Sequence, residues 1–372
     1  MNVLFISPYR QNDGWGLVSR NYIKALLSNS NINLTTRPLY YTNSTYEVSD
    51  DIVECENSRY EKYDIVLQKL LPHSLHISKS IKNIAILNVE TGSWNNSRSI
   101  LMLNKLDEIY VSTPQEKKWL EQSGVHTKIK NIPQPIDLDF LVSNQTKKIG
   151  LPPALQNTFN FYCIIDNEER SNLATIIRAF HLAFNETDRV GLVIKTDNGV
   201  LQTRDTRKKM QEHINSIKKE LGISGIYKNE LIINDYLDDT NMIGFHNACD
   251  CLISLKSGDN FSTEVLSGMF LGKTPIVMQN TGLSSVIDNS SGFIVKSEKT
   301  PVIMNPRPLP PDYDLFNSDE FWYKPTIYSL IENMRSAFAL SKNRSEYLAK
   351  QSVGRNNIQM YSYSNIGSQL CN

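Results

Sequence analysis

The chain has no apolar run approaching the ~18 residues that a membrane-spanning helix needs. Its first residues read directly as a strand with no signal-peptide pattern, so a cytoplasmic location is expected. Cysteine is sparse: Cys55, Cys163, Cys249, Cys251 and Cys371 are scattered and odd in number. They fit neither a disulfide framework nor a metal site, and suit a reducing compartment. Net charge is missing, with 39 Lys and Arg against 39 Asp and Glu, which removes any whole-chain pull toward DNA, RNA or an anionic membrane. The dinucleotide fingerprint G-x-G-x-x-G is absent, because Gly14 and Gly16 have no third glycine at the right spacing. No D-x-D lies in a loop suited to a metal; Asp238-Asp239 and Asp50-Asp51 do not form one, and no cofactor or metal is expected. Single histidines have no companions at metal-ligand spacing, and His246 reads as structural.

What is present is α/β alternation over 372 residues, enough for two domains of ordinary size. The most informative stretch runs from Cys251 to Val295. A short apolar run to Leu255 is followed by a polar turn, Lys256 to Asn260. Apolar positions at Phe261, Val265, Leu266, Met269 and Phe270 then recur with a helical period, Gly272 marks the stop, and Thr274 to Met278 is the next strand. Ligands of open α/β sheets collect at strand carboxyl ends, here Ser257 to Thr263. A helix N-terminus at that place offers unpaired N–H groups and partial positive charge, which suit a phosphate or pyrophosphate.

This stretch resembles the donor-binding signature of retaining glycosyltransferases of family 4, enzymes of the GT-B fold. Their pattern is E-G-F-G-x-x-x-x-E-A-M-A-x-G, then a proline and an apolar strand. Asp259, Asn260, Phe261 and Ser262 fall on E-G-F-G; Ser267 to Gly272 falls on E-A-M-A-x-G; Pro275 follows after one extra residue. The first family carboxylate is kept in shorter form at Asp259, and the second is replaced by Ser267. Glu264 either substitutes for it or is an acid placed in a first helical turn to favour the dipole.

Other segments extend the likeness. The first strand, Met1 to Ser7, leads through the loop Pro8 to Gly16 into a helix from Leu17 to Leu27. In the family this loop faces the donor diphosphate and the acceptor, so Gly14, Trp15 and Gly16 are expected at the donor. Thr42 to Tyr60 reads as a polar surface excursion without periodicity. Glu90 and Trp94 follow the strand Asn83 to Val89 and resemble the acceptor-side loop, with capping of the next helix as the alternative for Glu90. Asp107 to Thr113 and Ile129 to Asp137 match family segments that close the first domain. Arg170, Ser171 and Asn172 fall on the family's R-K-N, and Lys195 ends the strand from Val190. With Ser171 in place of the family lysine, Lys195 becomes the second cation able to stabilise a departing diphosphate. The helix Thr203 to Leu221 is rich in Arg and Lys, ordinarily a solvated face. Final helices are expected over Tyr323 to Phe338 and Arg344 to Gln359.

The resemblance implies two Rossmann-like domains facing a central cleft: an acceptor-side domain over 1–150, a nucleotide-sugar domain over 151–345, and a tail, 346–372, of the kind that often crosses back in the family. It implies metal-independent front-face transfer of a sugar from a nucleoside diphosphate to an acceptor hydroxyl on a glycan, a lipid-linked sugar or modified DNA. Asp259, Arg170 and Lys195 would be catalytic, and Asn260, Phe261, Ser262, Thr263, Glu264 and Ser267 would hold the donor. Three rival readings remain: a transferase acting on modified bases of viral DNA, supported by the basic helix; a non-catalytic GT-B partner subunit, supported by the loss of the family Glu and Lys at Ser267 and Ser171; and, ranked last, a different GT-B enzyme such as a sugar phosphorylase or epimerase, with no lysine-bearing cofactor pattern for the former.

Overall fold

In the computed structural model, two doubly wound parallel sheets organise the chain. It describes residues 1–43, 45–94, 97–166, 169–197, 204–223, 227–258, 261–302 and 319–371. The first sheet contains β1 (Asn2–Ser7), β2 (Asn33–Pro38), β3 (Ile65–Gln68), β4 (Lys82–Leu87), β5 (Glu108–Val111) and β6 (Lys128–Asn131), in the order β2-β1-β3-β4-β5-β6. The second contains β7 (Phe159–Asp166), β8 (Val190–Asp197), β9 (Asn229–Ile233), β10 (Cys251–Ser254), β11 (Thr274–Met278) and β12 (Phe293–Val295), in the order β12-β11-β10-β7-β8-β9. Central strands such as β3 and β11 are buried at every position, as parallel strands covered by helices on both faces must be. A ribbon of β13 (Ser297–Pro301) and β14 (Phe321–Pro325) is separate from both sheets.

Strand order decides where a ligand can enter. In the second sheet the chain runs from β7 outward to β9, then returns to place β10 on the other side of β7. That is the dinucleotide-fold order, with its switch point between β7 and β10. The first sheet reverses between β1 and β3, the order of the other common doubly wound class, extended by a sixth strand.

The chain divides into two compact units: Met1–Asp137 with Pro301–Trp322 and Met360–Asn372, and Leu138–Thr300 with Tyr323–Gln359. The first segment of the first unit ends at Asp137, and helix Leu138–Asn144 belongs to the second unit. In the first unit, the tail helix Tyr363–Gly367 packs on helix Gly14–Leu27. Ser28 Oγ donates to Tyr363 O at 3.0 Å, and a Cβ on Gly367 would lie 2.1 Å from Ala25 O, so the approach requires glycine. Ile366 and Leu370 are buried there. The second unit's core is formed by Phe161, Phe180, Ile194, Ile253 and Ile276.

Three expected elements differ. The first helix starts at Gly14 rather than Leu17, because Asp13 caps it, accepting from Gly16 N at 2.8 Å. The polar excursion holds a helix, Asp50–Asn57, which buries Ile52 and Cys55; two apolar positions are too few to show a period. Tyr323 to Pro325 is strand, not helix, and the last pair of helices is Ile327–Ser341 and Arg344–Ile358. Pro325 denies the segment before it helical geometry.

Candidate active site

At the second sheet's switch point, the carboxyl ends of β7 and β10 are joined by one side chain, Asn172. It stands at the N-cap position of helix Leu173–Ala183 in the left-handed conformation, φ 54°, and its side chain makes no capping bond to the helix. Its Nδ2 donates to Leu255 O at 2.7 Å, Arg170 O at 3.0 Å and Ser257 Oγ at 3.1 Å. Ser257 N donates to Arg170 O at 2.8 Å, and Ser257 Oγ donates to Tyr323 O at 2.8 Å. Gly258, at φ 79°, turns the chain away from the sheet. The turn that carries Arg170 is therefore fixed to the turn that leads into helix Thr263–Phe270. In the sequence Asn172 is legible only as part of the R-K-N match, because two of its acceptors, Leu255 O and Ser257 Oγ, are remote along the chain.

Arg170 is half-buried on the short turn Glu169–Ser171. Lys195 stands opposite Ile164 in the β7–β8 register and is 5% exposed, so it is not a solvated strand-end charge. Its Nζ donates to Thr196 O at 2.9 Å. Ser171, at the family lysine position, is buried and faces inward. Helix Thr263–Phe270 begins at Ser262, whose Oγ accepts from Val265 N at 3.4 Å and donates to Glu264 Oε2 at 3.0 Å. Glu264 thus takes part in the helix start, while it and Ser267 are both half-buried on the side of the helix away from its core face. Phe261 and Thr263 are buried. Asp259 and Asn260 lie outside the described residues.

Beneath this helix, His246 Nδ1 and Tyr162 Oη are 2.7 Å apart and buried. Burial, with the Lys273 charge adding to it, pulls His246 down to about 3, so the ring is neutral and structural. A Cβ on Gly268 would lie 3.2 Å from Tyr162 Oη, which explains the small residue in the family pattern here.

In the first unit, Gly14, Trp15 and Gly16 form the opening turn of the helix rather than a loop. A Cβ on Gly16 would come within 1.9 Å of Gln11 O, so this glycine serves the chain's approach to itself. Gly14 is exposed with no atom nearby. Trp15 is half-buried, edge-on to Tyr41 at 6.4 Å. Lys69, directly after β3, was overlooked in sequence although it ends a fully buried strand; its ammonium lies 4.3 Å from the Trp15 ring centroid.

The loop after β4 is tied down from three sides. Thr91 Oγ1 donates to Glu320 Oε2 at 2.6 Å; Gly92 exchanges backbone hydrogen bonds with Phe321, whose ring a Cβ on Gly92 would strike at 2.2 Å; and Trp94 is buried. Helix Ser97–Leu103 starts well beyond the half-buried Glu90, so Glu90 does not cap it. The third tie is Glu116, whose buried carboxyl accepts from Val89 N at 3.0 Å and from Thr113 N at 2.9 Å. Burial pushes Glu116 up to about 7 against those donors. A carboxyl raised in the folded state contributes stability below its unfolded pKa, lost as pH rises through the folded one. Wild type is expected to lose on the order of 3 kcal/mol relative to Glu116→Gln between pH 4.5 and 7. Urea unfolding of both at pH 4.5, 6 and 8 checks this, and parallel pH profiles would refute it.

The basic helix Arg204–Leu221 buries Met210, Ile214 and Ile217. Lys218 is drawn to Glu230 at 3.0 Å and Lys208 to Glu212 at 3.9 Å, which removes part of its positive face. Among the described residues, no group of three or more His, Cys, Asp and Glu could hold a metal, and no helix is long and apolar enough to cross a membrane.

No family model and no curated protein matches the chain. Solved structures do. The chain is similar to a structure titled trehalose-6-phosphate from E. coli, bound with UDP-2-fluoro glucose: TM-score 0.65, 12% identity, 99% of this chain and 98% of that one. It is similar to sucrose-phosphate synthase from Thermosynechococcus elongatus, with TM-score 0.65 and 14% identity over 100% and 97% of the two chains. A glycosyltransferase from Rickettsia africae gives TM-score 0.64 at 12% identity, covering 99% and 96%. At such identities the likeness speaks for architecture: the chain has the GT-B fold of two parallel α/β domains.

Proposed function

We propose that this protein is a retaining glycosyltransferase resembling family 4, moving a sugar from a nucleoside diphosphate to a hydroxyl of an acceptor held by the first unit. One observation carries the reading: Arg170 and Lys195 stand at the carboxyl edge of the second sheet, beside the switch point that Asn172 locks. That is where an α/β sheet of this order binds nucleotides. The UDP-sugar bound to a structure of the same fold supports the donor class. In the step itself, the acceptor oxygen bonds to the anomeric carbon on the face that the diphosphate leaves. The bond from that carbon to the phosphate oxygen breaks, and the hydroxyl proton passes to the departing phosphate. Arg170, Lys195 and the N-terminus of helix Thr263–Phe270 bear the charge that develops. Asp259 would meet the hydroxyls of the transferred sugar. These groups need no metal to balance a diphosphate, and a cytoplasmic location fits a nucleotide-sugar donor.

The test is a panel of UDP-, GDP-, ADP-, CMP- and dTDP-sugars, read by thermal shift and by slow hydrolysis, with Asp259→Ala as a control. One donor is expected to stabilise the protein and to be hydrolysed, and Asp259→Ala to lose the hydrolysis. A panel in which nothing binds overturns the donor site; a donor bound but never turned over, with every acceptor class supplied, overturns the enzyme in favour of a binding subunit.

A further inference from the structure

At the switch point of the first sheet, one charged side chain has no evident structural task. Lys69 is 1% exposed, and its backbone N donates to Ile6 O at 2.9 Å, which holds it between β1 and β3. The next turn is fixed as well, since Leu71 N donates to Tyr41 Oη at 2.9 Å. Among the described residues, no oxygen accepts a hydrogen bond from its Nζ and no carboxylate is within ion-pair distance. Its ammonium instead lies over Trp15, in the first turn of the fourteen-residue helix Gly14–Leu27. The nearest acid is committed elsewhere: Asp13 Oδ1 accepts from Gly16 N at 2.8 Å and Oδ2 from Gln11 Nε2 at 3.0 Å. Gln11 is itself buried and also fixes Tyr41 N at 2.9 Å.

A buried ammonium in contact with an aromatic ring and with no ion-paired carboxylate is an expensive thing to keep if only packing is at stake, because Met or Leu would fill the space without desolvating a charge. Burial in fact pulls Lys69 down to about 8, with the Asp13 charge opposing. What the ammonium lacks is an anion in contact with it, since Asp13 acts on it only at a distance. A cation beside a half-buried aromatic ring, at a helix N-terminus, matches a sugar ring that carries a phosphate group.

We infer that Lys69, Trp15 and the first turn of helix Gly14–Leu27 form a subsite for the phosphate of a sugar-phosphate acceptor. This deepens the transferase reading and rests on it for the word acceptor; the subsite itself is tested without any donor. The phosphate belongs to a sugar monophosphate rather than to the donor diphosphate, and the arms of the experiment separate the two.

Calorimetry on the full chain would compare glucose 1-phosphate, glucose 6-phosphate, glucose, inorganic phosphate and UDP, for wild type and Lys69→Met. At least one sugar phosphate is expected to bind ten-fold or more tighter than glucose. Lys69→Met is expected to remove that advantage and leave UDP affinity unchanged. Equal binding of glucose and both sugar phosphates overturns the inference. So does a Lys69→Met protein that keeps the advantage, or one that loses UDP alone. A second measurement needs no substitution: the Lys69 ¹³Cε resonance is expected to titrate near pH 8, with the midpoint rising when the tighter-binding sugar phosphate is added. Asp13 is the charged group acting on Lys69, and His73 reaches the cluster through Tyr41 at 6.5 Å, so the titration is repeated in Asp13→Asn and His73→Gln. A midpoint that ignores the ligand in all three proteins overturns the inference. Binding here with no nucleotide sugar bound anywhere sinks the transferase reading and leaves the subsite standing.

Discussion

On the proposed transferase reading, Arg170→Ala is expected to lower turnover of the nucleotide-sugar donor by about 10²–10³-fold, the loss typical when one donor aimed at developing charge is removed. The substitution leaves the backbone tie in place: the Arg170 carbonyl, which accepts from Ser257 N and Asn172 Nδ2, is kept in the variant. Arg170→Lys recovers only part of the loss, since an ammonium cannot offer two parallel donors to a phosphate. Lys195→Met falls in the same direction by a smaller factor, as its Nζ already donates to Thr196 O. The double variant loses less than the product of the two, because both cations serve one leaving group. Steady-state kcat and KM for donor hydrolysis decide the matter. A loss confined to KM would assign Arg170 to ground-state binding, and an unchanged kcat/KM would remove it from the site.

Asn172→Ala is the substitution expected to destabilise the second unit most for the few atoms it removes. Two effects add. The two Nδ2 hydrogens, shared among Leu255 O, Arg170 O and Ser257 Oγ, are lost at about 1 kcal/mol each or more where water cannot replace them, while Arg170 O keeps its bond from Ser257 N. Alanine in a left-handed conformation adds roughly 1–2 kcal/mol. Asn172→Gly separates them, since glycine adopts φ 54° freely but brings no amide. Expected losses are about 3 kcal/mol for alanine and about 2 for glycine by urea unfolding. Both variants should also weaken donor binding, because the turn from Leu255 to Gly258 is no longer tied to the Arg170 turn. Equal losses for the two variants would show that the left-handed backbone is not under strain; a loss below 1 kcal/mol would show that the lock is ornamental.

How far the sequence could be read follows from what each residue answers to. The stretch from Cys251 to Met278 was legible in order, strand, helix and strand, because its apolar period is local and uninterrupted. Both sheets were legible as parallel for the same reason. The close approach at Gly16 was not legible, because its partner is a carbonyl five residues back that only a three-dimensional chain brings to it. Tyr323 to Pro325 carries helix-compatible residues, yet pairs with a strand beyond a long insertion. Lys69 gave no motif at all. Its meaning comes from burial beside Trp15, and burial of a lysine is what composition argues against. Asp259 keeps only its sequence argument.

The tail laid against helix Gly14–Leu27 has a consequence for how the chain is made. Ser28 and Tyr363, which share a hydrogen bond, are 335 residues apart. At about 5–20 residues per second, ribosomal synthesis separates them by roughly 20 to 70 s. Through that interval the surface around Ala25 waits uncovered for Ile366 and Leu370. The first unit is begun first and completed only after the second has been synthesised, so a nascent-chain chaperone has its longest hold on the face that the tail will close.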